Sequence, residues 1–208
     1  DVPIDETLRA LDDLVRSGKV RYIGTSTFAA WQVMESLMVS RELGLNRFIC
    51  EQTPYNLLDR RVERELIPMA QTYGMGVIAW SPMGGGLLSG KYGVKQKPAE
   101  GRFTELEKKP WLRRRVNEGV YQFADAFTTF CAEKGVKPSQ MAVAWTMSRP
   151  GVTSAIIGPR TIEQFEDNLK ALDITVTAED DAALDDLSPP GDYISKFYEA
   201  DFGPRTMP

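Results

Sequence analysis

The chain has 208 residues, 42% of them hydrophobic, with a formal net charge of −4 at pH 7 and a pI near 5.1. That supports one substantial core and excludes the basic footprint of a nucleic-acid-binding domain. There is no histidine, which excludes Ser-His-Asp and Cys-His catalysis and a His-ligated zinc site.

In chain order, a helix is expected from near Pro3, with Leu8, Leu11, Leu14 and Val15 on one face and Gly18 as its stop. VRYIGTS (20–26) reads as a short strand. A helix follows over 29–43, with Val33, Met34, Leu37 and Met38 inward and Gly44 at its end. FICEQ (48–52) is the second strand. Residues 61–73 are helical, with Pro68 breaking or restarting the helix. GVIAW (76–80) is the third strand, and 87–110 is a long polar loop rich in Lys, Gly and Pro. Helices are expected over 112–134 and 139–148, a fourth strand at TSAII (153–157), and helices over 161–169 and 178–187. The tail, 188–208, reads as irregular.

Alternating strands and helices imply a parallel sheet covered by helices. Four β/α units are half of an eight-fold barrel, which needs about 250 residues. An open four-stranded α/β sheet is the alternative, although no GxGxxG follows the first strand. Cys50 and Cys131 have neither CxxC nor metal spacing, and fit a reduced, cytoplasmic protein better than a disulfide framework. No apolar run reaches transmembrane length and no signal-peptide pattern occurs in these residues.

The stretch GVIAWSPMGGGLLSGKY (76–92) carries the most chemistry. A buried strand opening into glycines is a common phosphate-holding arrangement, because backbone N–H groups can approach an anion closely. Trp80 offers a flat face at the strand end, and Lys91 a positive charge. Taken alone, the stretch fits equally a tight strand-to-loop turn with a core tryptophan.

The other strand ends are Gly24-Thr25-Ser26-Thr27, Glu51-Gln52 and Ile157-Gly158-Pro159-Arg160. Small hydroxyls, a carboxamide, an aromatic face and an arginine thus converge on one rim. That set suits an amide-bearing aromatic ring with phosphates. Glu51 is the one candidate base, and such a carboxylate is more often paired structurally. In IIGPRTIEQFEDNL, Arg160 stands where a helix N-terminus favours an anion. Thr161 and Gln164 also stand in capping-box register, so Gln164 either closes the helix or meets a ligand. Asp167 and Asn168 lie one turn on, where a solvated helix face is the alternative.

GKVRYIGTS, EQTPYNLLDRRVERE, GVIAWSPMGGGLLSGKY and SAIIGPRTIEQFEDN resemble, in the same order, motifs of the aldo-keto reductases, NADPH-dependent β/α barrels that reduce aldehydes and ketones. The resemblance covers about 2–187 and is closest to the branch of bacterial reductases and potassium-channel β subunits. It implies a (β/α)8 TIM-barrel fold of which 1–187 is the C-terminal half, followed by the irregular tail at 188–208. It also implies an NADP(H) site. Ser26 and Gln52 match residues that hydrogen-bond the nicotinamide carboxamide, and Thr27 stands where many members have Asn. Trp80 matches the residue that stacks on the nicotinamide ring. Ser81, Pro82, Met83, Gly84, Gly85, Leu87 and Lys91 match the loop along the pyrophosphate, and Arg102 a cofactor-contacting arginine. Gly158, Arg160, Gln164, Asp167 and Asn168 match the site of the adenosine 2′-phosphate and adenine.

The family's catalytic Asp, Tyr, Lys and His precede the matching region, so no residue here is expected to be catalytic. The expected partners are a carbonyl substrate and a missing N-terminal half of the barrel, with homo-oligomerisation open, and neither nucleic acid nor membrane. A binding module that holds NADPH without turnover is the alternative to a reductase.

Overall fold

A computed structural model describes residues 2–99, 101–104 and 110–199. The part of the expected tail at 200–208 and the loop positions 100 and 105–109 lie outside the described residues.

Helix α1 (Ile4–Arg16) buries Leu8 and Asp12. The Asp12 carboxylate accepts from the Asn46 backbone N–H at 2.8 Å and its Nδ2 at 2.7 Å, tying α1 to the loop after α2 (Ala30–Leu43). Gly44 ends α2 with φ 65°, a conformation that suits glycine. Strand β1 is only Thr25–Ser26, shorter than the expected 20–26. Lys19 and Val20 both donate to the Leu14 carbonyl, so the first residue of that stretch, Val20, closes α1 instead of pairing.

Strand β2 is Cys50–Pro54. The helical stretch expected over 61–73 is interrupted, but before Pro68 and not at it: a 3-10 turn (Arg61–Glu63) precedes α3 (Leu66–Thr72). Pro68 falls in the first turn of α3, where its missing N–H leaves no bond unmade. Strand β3 is Gly76–Trp80. The helix expected over 112–134 is two: α4 (Pro110–Arg113) and α5 (Glu118–Glu133). Asn117 starts the second, its Oδ1 accepting the Val120 N–H at 3.0 Å.

Helix α6 (Pro138–Ser148) begins on proline and buries Trp145 completely. It is followed by β4 (Val152–Ile156), α7 (Ile162–Leu169) and α8 (Ala178–Leu187). Thr177 and Asp180 close the start of α8 as a reciprocal capping box.

The sheet is parallel throughout, in the order β1-β2-β3-β4. This is an α/β fold with the strands in sequence order. Thr25, Glu51, Thr53, Val77 and Ala79 face the packed side and are buried. Their alternates Ser26 and Gln52 are exposed, and Ile78 and Trp80 half-buried. Period-two alternation therefore gives β1 to β3 one covered and one more open face, although Pro54 on the open side is buried and the edge strand β4 buries no residue fully.

The described part of the tail, through Glu199, forms no helix or strand but is tied to the body of the fold. Asp59, fully buried, accepts two bonds from Arg61 (2.8 and 2.6 Å) and the backbone N–H groups of Phe197 and Tyr198 (2.6 Å each). Ile194 and Ser195 donate to the Leu58 carbonyl, and Arg60 reaches Asp185 at 2.6 Å and the Ser188 carbonyl at 2.5 Å. Replacing Asp59 by Ala strands the Arg61 charge, the buried Phe197 N–H and the part-buried Tyr198 N–H. The expected loss is about 3–5 kcal/mol of stability, with faster proteolysis near 188–199, measured by denaturant unfolding and limited digestion.

Candidate functional site

Parallel strands bring their C-terminal ends to one edge, so the sheet itself decides which side chains meet. Ser26 and Gln52 are register partners on neighbouring strands, both on the open face. The Gln52 carboxamide has no partner among the described residues, and Ser26 Oγ lies 3.4 Å from Thr27 Oγ1. Two residues beyond Gln52 on β2, Pro54 is paired with Trp80, which is paired in turn with Ile156. An unpaired carboxamide, two hydroxyls and an indole thus share one face and one end of the sheet.

Among the described residues, the non-glycine residues with positive φ are Thr27 (60°) and Ser81 (57°). Each follows a strand directly, and such backbone costs about 1–3 kcal/mol. Buried polar groups hold both. Glu51, fully buried on the covered face, accepts from the Thr25 hydroxyl and from the Phe28 N–H at 3.1 Å. Asn56, also fully buried, donates to the Ser81 carbonyl at 3.1 Å and accepts from the Leu58 N–H at 2.9 Å.

After Ser81 the chain passes through buried Pro82 and half-buried Met83 into three glycines, all at positive φ. A Cβ on Gly84 would stand 2.9 Å from Leu58, so the turn packs against the core on that side. A Cβ on Gly85 would meet the Phe103 ring at 3.3 Å and Arg102 Nη1 at 3.6 Å, which places Arg102 beside the glycine turn. Leu87 is wholly buried, so its side chain serves the core. Lys91 is exposed and forms no ion pair among the described residues.

At the fourth strand end, Gly158 and Arg160 are exposed, and Arg160 has no ion-pair partner among the described residues. Gln164 closes the helix: its Oε1 accepts the Arg160 backbone N–H at 2.8 Å, and its N–H donates to Thr161 Oγ1 at 3.3 Å. Asp167 accepts from Lys137 Nζ at 2.6 Å and Gln140 Nε2 at 3.0 Å, and the lysine holds its carboxyl below the usual range. Asn168 is buried. Gln164 and Asp167 line an open depression of about 420 Å³ with Lys137, Glu163, Glu166 and Lys170.

Asn56 and Asp59 gained no role from the sequence, and Glu51 only that of a candidate base or a structurally paired carboxylate. The available signal was their polarity inside a stretch, EQTPYNLLDRR, in which every residue from Thr53 to Arg60 is buried. Among the described residues there is no cluster of three or more metal-ligating side chains, and no helix is long and apolar enough to cross a membrane.

The fold and site define an α/β protein with a polar and aromatic rim on the open end of a parallel sheet. Comparison with known proteins makes the class specific. The sequence profile of the aldo/keto reductase family matches residues 1–189, and the chain belongs to that family. It is 38% identical over 187 residues to the uncharacterized oxidoreductase YrpG of Bacillus subtilis, covering 90% of this chain and 55% of that protein. It is 37% identical to a probable voltage-gated potassium channel subunit beta of Oryza sativa, covering 83% and 53%. It is 31% identical to the versiconal hemiacetal acetate reductase of Aspergillus parasiticus, covering 86% and 52%. The chain thus spans about half the length of these relatives.

Burial raises the Glu51 carboxyl from the ordinary 4.5 to about 7. Between those values the folded chain binds more protons at this site than the unfolded chain. The stability contributed is therefore fully present below pH 4.5, is lost as the pH rises, and is gone above about 7. Wild-type stability, measured against Glu51→Gln by urea unfolding at pH 5 and pH 8, should fall relative to the variant by on the order of 3 kcal/mol at most.

Proposed function

We propose that this chain supplies the cofactor-binding rim of an NADPH-dependent aldo-keto reductase acting on aldehydes and ketones, as the C-terminal four β/α units of a (β/α)8 barrel. The observation that carries the reading is the in-register placement of Ser26 and Gln52, with Trp80 on the same open face. The donor set fits the cofactor. An unpaired carboxamide and a hydroxyl are complementary to a nicotinamide carboxamide, and the indole to its ring. The glycine turn and Arg102 are complementary to a diphosphate.

In this reading Ser26, Thr27 and Gln52 orient the carboxamide, and Trp80 fixes which ring face is presented. Backbone of Ser81, Pro82, Met83, Gly84, Gly85 and Leu87 runs along the diphosphate with Lys91 and Arg102. Gly158, Arg160, Gln164, Asp167 and Asn168 take the adenosine end, where Arg160 meets the 2′-phosphate. NADPH, when bound, supplies a hydride to the carbonyl carbon. The proton for the carbonyl oxygen comes from residues outside these 208, and the chain alone is inactive. The Glu51 carboxyl serves structure, since it points to the covered face.

Two measurements on the intact protein test this. A hydrogen bond to a charged group contributes about 1.5–3 kcal/mol, so Arg160→Ala should weaken NADPH roughly ten- to a hundred-fold and leave NADH nearly unchanged. Equal losses for both cofactors in a fluorescence titration would overturn the 2′-phosphate assignment. NADPH should also quench tryptophan fluorescence strongly, and Trp80→Ala should remove most of the quench. Trp145, wholly buried between Arg60 and Arg149, should contribute background only. A quench that survives Trp80→Ala, in a variant whose melting temperature has dropped, makes the indole core filler.

A further inference from the structure

Glu51 is a carboxyl with no solvent exposure and no cation partner among the described residues. The charged and titratable groups around it are few. Cys50 precedes it in the strand, its thiol pushed up first by burial and then by Glu51. Tyr198 approaches from the tail, its phenol raised to about 12 by burial and by the same carboxylate. Neither carries positive charge. Burying an unpaired carboxyl is costly unless its hydrogen bonds matter. Its bonds converge on one short turn: the Thr25 hydroxyl at the start and the Phe28 N–H at the end. Between them stand Ser26 and Thr27, the latter at φ 60°.

The other side of Phe28 is also held. Tyr198 Oη donates to the Phe28 carbonyl at 3.1 Å, while the Tyr198 N–H donates to Asp59 at 2.6 Å. One peptide unit on each side of Phe28 is therefore fixed, by buried Glu51 and by half-buried Tyr198. Thr27 N–H donates to the Gln52 carbonyl at 2.9 Å, which locks the turn to the residue beside Glu51. Alternation along β2 puts the Glu51 carboxyl on the covered face and the Gln52 carboxamide on the open one.

We propose that Glu51 is a positioning residue: with Tyr198 it clamps the 25–28 turn from the covered face, so that the Ser26 and Thr27 hydroxyls stand in line with the Gln52 carboxamide on the open face. The ligand it serves is the carboxamide end of the nicotinamide cofactor, so the inference rests on the rim assignment above. It adds a residue that touches no ligand and sets ligand affinity through backbone geometry. The tail enters the site the same way, since Asp59 holds the Tyr198 N–H and Arg61 its carbonyl, placing the phenol at the turn.

The test is a double-mutant cycle on NADPH affinity in the intact protein, read by fluorescence titration, with circular dichroism on every variant. Glu51→Ala should raise the Kd about ten-fold. Glu51→Gln keeps an acceptor for Phe28 and gains a donor for Thr25 Oγ1, and should recover most of that loss. In a Ser26→Ala/Thr27→Ala background, Glu51→Ala should change the Kd less than about two-fold, because nothing remains on the turn to position. If Glu51→Ala does not fold, Tyr198→Phe loosens the other side of Phe28 and should raise the Kd about three-fold in the wild type, but not in the Ser26→Ala/Thr27→Ala background. Full additivity in either cycle, or unchanged affinity in folded Glu51→Ala, overturns the positioning role and leaves the rim assignment standing. A wild type that does not bind NADPH, or a Ser26→Ala/Thr27→Ala variant that binds it unchanged, overturns the rim assignment and the clamp with it.

Discussion

One stretch of chain, from Glu51 to Glu63, constrains most of what surrounds the site. Glu51 fixes the turn after β1, and Asn56 fixes the turn after β3 through the Ser81 carbonyl. The Leu57 carbonyl accepts from Ser188, the Leu58 carbonyl from Ile194 and Ser195, and Asp59 from Phe197 and Tyr198. Arg60 stacks 5.1 Å over Trp145 and joins Glu63 to Asp185. Each of these groups is polar, most are buried, and each satisfies a backbone group or a charge far away in sequence. Buried polar networks of this kind are costly when incomplete, so they specify one arrangement of the elements they join.

The same stretch shows how one strand serves two purposes. Glu51 and Thr53 face the covered side, and Gln52 the open one. A slip of one residue would put a carboxylate on the open rim and a carboxamide in the core. The close approach of β1 prevents it. A Cβ on Gly24 would lie 2.5 Å from Cys50 Sγ and 2.8 Å from the Cys50 carbonyl oxygen, so the two strands meet at that level only because position 24 carries no side chain. The structural glycine thus protects the register on which the rim depends.

Much of this was legible from residue pattern. Strands β2, β3 and β4 came within two residues of their expected bounds, because apolar runs between glycines and helical stretches read clearly. The Thr161 cap of α7 was legible from spacing, but the box is not reciprocal, because Gln164 Oε1 takes the Arg160 N–H instead of the Thr161 N–H. Strand β1 was overextended because 20–24 have strand-like composition, yet the Val20 N–H goes to Leu14 and regular pairing begins at Thr25. The break at Asn117 was missed because a cap inside an amphipathic stretch leaves the apolar period almost intact. The tail's anchorage was invisible for a different reason. Its partners are Asp59 and backbone carbonyls more than a hundred residues away, and local propensity carries nothing about such pairs.

The two ends of the rim are prepared differently. At the β1 end the protein holds its own backbone in a strained turn and leaves the side chains of Ser26 and Gln52 facing outward. At the α7 end the helix satisfies itself: Gln164 Oε1 is spent on the Arg160 N–H, and Asp167 on Lys137 and Gln140. An anion there meets a helix start at which the Arg160 and Gln164 N–H groups are already taken, so the macrodipole and the Arg160 guanidinium are what chiefly attract it. In the proposed reading, Gln164 contributes to the adenosine end through its amide nitrogen or through the position its cap gives Arg160. Selectivity for the 2′-phosphate then rests on one exposed charge, while orientation of the nicotinamide rests on a buried scaffold. Surface charge is screened by salt and a buried scaffold is not. Discrimination between NADPH and NADH should therefore weaken as ionic strength rises, while the orientation of the ring stays as it is.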